Sequence, residues 1–125
     1  MLAYYTYFDR NYAVRAVAMF RSLQRNSDSF QMFMLCLDHE THDALAELSL
    51  PEVTLLQLGV LEREDPELLK IKAGRSIVEY FFTLTSCLGR HLMKTYPNIE
   101  VLTYLDSDLF FYKGLPRALQ KHTWF

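Results

Sequence analysis

No excess of either charge marks this sequence: 13 Lys and Arg stand against 15 Asp and Glu, a formal net charge of −2. With the two signs interspersed, the chain carries no electrostatic footprint for nucleic acid or for an anionic membrane surface. Affinity for a phosphate-bearing ligand has to come from a local site. Long apolar runs are also missing, so no stretch reads as a transmembrane segment. The opening residues Met1 to Phe8 lack the charged start and extended apolar core of a signal peptide, which makes a cytoplasmic protein the default expectation. Cysteine is scarce: there are 2, Cys36 and Cys87, without CxxC spacing. That excludes a disulfide framework or a zinc knuckle, and both read as buried thiols. Of the histidines His39, His42, His91 and His122, the first two lie three apart. A metal reading of that pair needs further ligands that the sequence does not place, so they read as loop and helix-start polar residues. Internal repeats, low-complexity segments and linkers are absent.

What is present is enough apolar material for one packed domain. Half of the 125 residues are hydrophobic and 14% are aromatic, so a single unit spanning 1–125 can bury a substantial core. Leu2 to Phe8 is a run of β-formers ending at the turn-forming Asp9-Arg10-Asn11. Tyr12 to Arg25 repeats its apolar residues at helical spacing, through Ala13, Ala16, Val17, Phe20 and Leu23. Asn26 to Ser29 breaks that helix. Phe30 to Leu37 is apolar on both faces, the pattern of a central parallel strand covered by helices on either side. Asp38 to Thr41 opens a second helix that Pro51 closes, and Val53 to Leu58 reads as a third strand. Asp65-Pro66 is a helix start, and Gly74 can end that helix. A longer helical stretch from about Arg75 to Tyr96 follows, with a break expected near Thr85-Ser86, and Pro97-Asn98 terminates it. Val101 to Leu105 is the fourth strand. Lys113 to Pro116 turns the chain into a short helix, and Thr123 to Phe125 looks like the start of another strand. The order β-α-β-α-β-α-α-β predicts an open, mostly parallel α/β sheet with helices on both faces.

In such a sheet, ligands bind beyond the carboxyl ends of the strands. Three polar clusters fall there: Thr6 with Asp9 to Tyr12, then Asp38, then Asp106-Ser107-Asp108. The last is the most informative. Residues two apart in an extended segment project to one side, so Asp106 and Asp108 can offer carboxylate oxygens to one hard divalent cation. Such a cation could bridge to a diphosphate and offset its charge. The competing reading is a strand-to-turn junction in which both aspartates accept backbone N–H bonds.

Leu102 to Phe111, with Tyr104-Leu105-Asp106-Ser107-Asp108 at its centre, resembles the YLDxD signature of GT-A-type glycosyltransferases, particularly the glycogenin-like and galactosyltransferase members of family 8. Thr6 to Leu23 is similar to the first strand, turn and helix of that family, in which a threonine closes the strand, a tyrosine opens the helix and a serine-leucine pair ends it. Arg75 to Leu84 takes the place of the donor-binding helix. The resemblance implies a GT-A-like, Rossmann-like fold and a nucleoside-diphosphate-sugar donor, with UDP-sugars foremost. It implies that Thr6 contacts the uracil or ribose, that Tyr12 stacks on the base, and that Asp106 and Asp108 hold Mn2+ or Mg2+ against the diphosphate. It also leans toward retention of anomeric configuration. Tyr12 equally fits an ordinary half-buried aromatic on a first helical turn. Two departures stand out. The family's donor helix carries an arginine that Tyr80 to Thr83 lacks, with Arg75 one or two turns earlier, and the histidine-containing metal motif falls well beyond the signature, so His122 comes too early to be that ligand. Glu79 and Thr83 share a helix face and either point toward a donor sugar or mark the solvent side.

Two rivals remain at this stage. A sugar-phosphate nucleotidyltransferase shares the broad fold but opens with a Gly-rich loop, whereas Asp9-Arg10-Asn11 contains no glycine. A truncated, non-catalytic nucleotide-binding domain fits the length, since 125 residues read as the front part of a longer transferase whose acceptor and catalytic groups lie elsewhere. On that reading the apolar Leu109, Phe110 and Phe111 border an uncovered sheet flank, because large exposed apolar patches are uncommon on soluble monomers. The isolated chain is then expected to self-associate and an extended one is not. Light scattering on the two would decide, and a stable monomer at high concentration from the short chain would refute it.

Overall fold

In the computed structural model, which describes residues 1–74 and 76–111, the chain folds as β1 (Leu2–Phe8), α1 (Ala13–Asn26), β2 (Gln31–Cys36), α2 (His39–Leu48), β3 (Val53–Gln57), α3 (Leu58–Glu64), α4 (Pro66–Gly74), α5 (Ile77–Thr95) and β4 (Val101–Tyr104). The four strands form one sheet in the order β3-β2-β1-β4, and every pairing is parallel. This is the open α/β architecture that the alternation of elements predicts.

Side-chain alternation along each strand divides the core into two layers. Ala3 and Tyr5 of β1, Phe33 and Leu35 of β2 and Leu102 of β4 pack with Leu61, Leu68, Tyr80, Leu84, Leu88 and Leu92 from α3, α4 and α5. Tyr4 and Phe8, with Met32, Met34 and Cys36, pack on the opposite face with Ala16, Met19, Phe20 and Leu23 of α1 and Leu45 of α2. The central strands are apolar on both sides because both sides are covered. Each fully buried large side chain contributes about 1.5–3 kcal/mol of transfer free energy. Both cysteines are free and buried, and burial, then the Asp38 charge, pushes the Cys36 thiol up to about 12.

Three readings of the sequence need correction. Leu58 does not end the third strand; it opens α3, a short helix anchored by the buried Leu61. The helix from 77 to 95 is continuous through Thr85-Ser86. Thr85 does not cap a second segment there, because its hydroxyl donates to the Phe81 carbonyl one turn back at 3.2 Å. The residue that caps this helix is Ser76, whose Oγ accepts from the Glu79 N–H at 3.2 Å. The turn and helix expected after Lys113 and the strand expected at Thr123 to Phe125 lie outside the described residues.

Asp38 joins two loops at the carboxyl edge of the sheet. One of its carboxylate oxygens caps α2 by accepting from the Thr41 N–H at 2.7 Å, and the other accepts from the Arg10 N–H at 3.0 Å. Arg10 also reaches Glu40 at 3.2 Å. Partial burial acts to raise the Asp38 pKa, but the hydrogen bonds from Thr41 and Arg10 and the Arg10 charge outweigh it, so the carboxyl sits below its ordinary value. A depressed folded-state pKa gives stability that is present above the unfolded value, near 3.9, and lost as pH falls through the folded one. Asp38→Ala is expected to cost about 2 kcal/mol at neutral pH, from the lost cap and loop contact. In urea melts the gap between wild type and variant should narrow as pH drops below about 3.9; a gap that stays constant or widens with falling pH would contradict this account.

Candidate functional site

The strand order contains one reversal of direction. From β1 the chain builds outward through β2 to β3, then α3, α4 and α5 carry it back to place β4 on the other side of β1. The carboxyl ends of β1 and β4 therefore flank a topological switch point, where the loops diverge and leave a crevice. A cleft of about 420 Å³ lies there, lined by Tyr7, Phe8, Asp9, Tyr12, Leu37, Phe81, Tyr104, Asp106, Ser107 and Asp108.

Three of the four expected site residues, Tyr12, Asp106 and Asp108, thus line one cleft. Both carboxylates are exposed to it, following Leu105, whose N–H closes the β1–β4 ladder on the Tyr5 carbonyl at 2.9 Å. The turn behind them is closed by the Leu109 N–H on the Asp106 carbonyl at 3.2 Å. Beyond it, the Phe111 N–H donates to Ser22 Oγ at 2.9 Å and its carbonyl accepts from Asn26 Nδ2 at 3.0 Å, which ties the exit of the loop to α1. Leu109 and Phe110 stay exposed, while Phe111 packs against the α1 layer.

On the opposite wall, the Asn11 N–H donates to Asp9 Oδ1 at 2.9 Å and the Tyr12 N–H to the Asp9 carbonyl at 3.1 Å, a turn that presents the Tyr12 ring at the head of α1. Tyr12 is 42% exposed, and the Arg15 guanidinium lies 5.2 Å from its ring centroid. A ring left open here offers a flat contact surface at small entropic cost.

Thr6 does not join this group. It is fully buried, its hydroxyl has no hydrogen-bond partner, and it is not among the residues lining the cleft. Its backbone is directed elsewhere too. The Phe8 carbonyl accepts from Leu37 toward β2, and the Tyr5 carbonyl accepts from Leu105 toward β4. Successive residues of a strand turn their backbone groups to alternate neighbours. Those of Thr6 therefore face β2, and those of Tyr7 face the side where β4 has ended.

The sequence reading missed Tyr7, Phe81 and Tyr104. Tyr7 and Phe81 stack with centroids 5.9 Å apart, and Tyr7 and Tyr104 pack at 5.6 Å. The Tyr7 hydroxyl lies 3.1 Å from both the Phe81 carbonyl and Thr85 Oγ1. Burial first, then the neighbouring Tyr7 and the Asp106 charge, pushes the Tyr104 phenol well above its ordinary value. The available signal was the spacing of Tyr104 two residues before Asp106, which puts both on one side of an extended segment.

Glu79 is exposed and Thr83 donates to the Glu79 carbonyl at 3.0 Å; neither lines the cleft. Arg75 and His122 lie outside the described residues. His42 Nδ1 lies 3.3 Å from Gln57 Nε2 and His91 pairs with Glu64 at 3.4 Å, both away from this cleft. Among the described residues no group of three or more His, Cys, Asp or Glu is placed to hold a metal ion. Two carboxylates on one wall nonetheless suit Mg2+ or Mn2+, since such hard cations are commonly held by one or two carboxylates, with phosphate and water oxygens completing the shell.

No protein-family model matches the chain. It is similar to two uncharacterized proteins of Bacillus subtilis (strain 168). The identity to YfnF is 36% over 110 residues, 88% of this chain and 36% of YfnF. That to YfnD is 34% over 117 residues, 94% of this chain and 37% of YfnD. The chain thus spans little more than a third of the length of either relative. Among the described residues no helix is long and apolar enough to cross a membrane.

Proposed function

We propose that this chain is the donor-binding part of a glycosyltransferase that takes a nucleoside-diphosphate sugar, with a UDP-sugar foremost, and passes the sugar to an acceptor bound by other residues. The observation that carries the reading is the convergence of Asp106, Asp108 and Tyr12 on one cleft at the β1–β4 switch point. Mn2+ or Mg2+ bound at Asp106 and Asp108 would supply Lewis-acid stabilisation of the departing diphosphate. The chain's own residues then have distinct tasks. Tyr12 offers its exposed ring to the base. The backbone of Tyr7, turned toward the open side of β1, offers hydrogen bonds to the nucleoside. Phe81 and Leu37 give the cleft an apolar wall that limits water. A cytoplasmic location belongs to the same proposal. The absence of a Gly-rich loop after β1 favours a transferase that consumes a sugar nucleotide over an enzyme that makes one.

Calorimetric titration of the chain with UDP tests this reading. Binding is expected with Mn2+ present and is expected to weaken at least 10-fold in EDTA. Asp106→Asn and Asp108→Asn should each abolish most of the metal-dependent increment, because loss of a ligand charge removes the reason for the cation to bind there. Equal affinity with and without metal, or no UDP binding in either condition, would overturn it.

A further inference from the structure

At the edge of the sheet away from the nucleotide cleft, β3 has a neighbour on one side only among the described residues. The Met32 N–H donates to the Glu52 carbonyl at 2.8 Å, and the parallel register sets Met32 against Val53. Successive residues of a strand turn their backbone groups to alternate sides. Those of Thr54 and Leu56 therefore face β2, while those of Val53, Leu55 and Gln57 face the open edge. Natural edges are commonly guarded by Lys, Pro or a bulge. Val53-Thr54-Leu55-Leu56-Gln57 contains neither residue, and its register with β2 is unbroken.

Two hollows accompany this edge, one on each face of the sheet. The first, about 240 Å³, lies between β3 and α2, where Leu45, Ala46, Leu50, Val53 and Leu55 make it mainly apolar. The second, about 370 Å³, passes beside Leu55 and Gln57 to the α3 and α5 side, where Leu56, Val60, Glu64 and His91 line it. Glu64 lies 3.4 Å from His91 Nε2 and keeps 54% of its side chain exposed, so it is open to a cation. Among the described residues no Lys or Arg lines either hollow. The helix α2 carries Glu40, Asp43 and Glu47 and has no Lys or Arg of its own. None of the residues around this edge lines the nucleotide cleft.

We propose that the β3 edge is a docking site for an extended peptide segment in which apolar side chains alternate with Lys or Arg. An added strand takes the open backbone groups of Val53, Leu55 and Gln57, and its side chains point alternately to the two faces of the sheet. On the α2 face the hollow receives an apolar side chain. On the opposite face an aliphatic stem lies along Leu56 and Val60 and its cationic head meets Glu64. A second copy of the chain is the poorer occupant, because a symmetric antiparallel pairing of two such edges sets one acidic α2 beside another.

Fluorescence anisotropy of a labelled peptide that alternates valine and lysine, titrated with the full chain, measures the docking. It is expected to bind about 10-fold more tightly than a peptide with the same residues in two separate blocks, which cannot place its valines on one face; burial of a single valine side chain is of that size. Methylating the backbone nitrogens of all the valines, or of all the lysines, blocks one side of the added strand. One of these two peptides should lose about 10-fold in affinity and the other should keep it, because the strand pairs with β3 along one side only. Glu64→Gln is expected to weaken the lysine peptide about 2- to 5-fold. Ala46→Met, which fills the apolar hollow from an exposed position of α2, should weaken it about 10-fold. Equal binding of the alternating and block peptides, an equal response to the two methylations, or unchanged affinity in Glu64→Gln overturns the inference. Should Ala46→Met fail to fold, the exposed Glu64→Gln carries the decision with the peptide series. A wild-type chain that sediments as a dimer, turns monomeric as Ala46→Met and binds no peptide overturns it too, and gives the edge to a second copy.

Discussion

The pairing of β4 with β1 is the contact on which the site depends. It is only four residues long, Leu2 to Tyr5 against Val101 to Tyr104, while β1 runs on beside β2 as far as Phe8. That difference in length opens the crevice. Had β4 continued in register, residue 106 would lie beside Tyr7 within the ladder, its carboxylate carrying the desolvation cost of a covered sheet. Because pairing stops at Tyr104, Asp106 and Asp108 emerge into solvent just where the backbone of Tyr7 loses its neighbour. One register thus fixes the places of both carboxylates and of the unpaired strand edge opposite them.

The walls of the cleft are tied to the rest of the fold by different chemistry on each side. Asp38 fixes the loop after β1 with a charged acceptor shared between two backbone N–H groups. Ser22 and Asn26 hold the chain beyond Asp108 against α1. The third tie is the phenol and hydroxyl layer between the sheet and α5, where Tyr5 donates to the Thr85 carbonyl at 2.9 Å beside the Tyr7 contacts. These partners sit in a half-buried layer where unmade hydrogen bonds are costly, so the layer has a defined arrangement.

Much of the fold was legible because its signals are local. Phe30 to Leu37 reads as apolar on both faces, and a strand so composed has to be covered twice. Asp38 and Pro66 mark helix starts by their own chemistry. What escaped was set by packing. Leu58-Gly59-Val60-Leu61 carries no helical period of its own, and α3 forms because Leu61 reaches the layer under α5. Thr85-Ser86 has the local character of a helix start, yet Leu84, Cys87 and Leu88 on either side are buried in one continuous stripe, and that burial outweighs a single cap worth about 1 kcal/mol. At the site, the carboxylate pair was visible as a spacing. Tyr7 and Tyr104 were not, since they become neighbours only through the pairing of strands almost a hundred residues apart.

The case of Thr6 carries this argument one step further. A threonine near the end of the first strand reads as a polar residue at the ligand edge, and its type is right for that task. Position along a strand also fixes direction: even-numbered residues of β1 turn their side chains to α1 and their backbone groups to β2, and odd-numbered ones turn both the other way. Thr6 is even. Its hydroxyl is therefore enclosed without a partner, at a cost of about 1–3 kcal/mol, and Tyr7, beyond the end of the β4 pairing, lines the cleft instead. A shift of one residue decides whether a group faces ligand or core. The face of β1 and β4 turned to α5 accordingly brings Tyr7 and Tyr104 to the cleft.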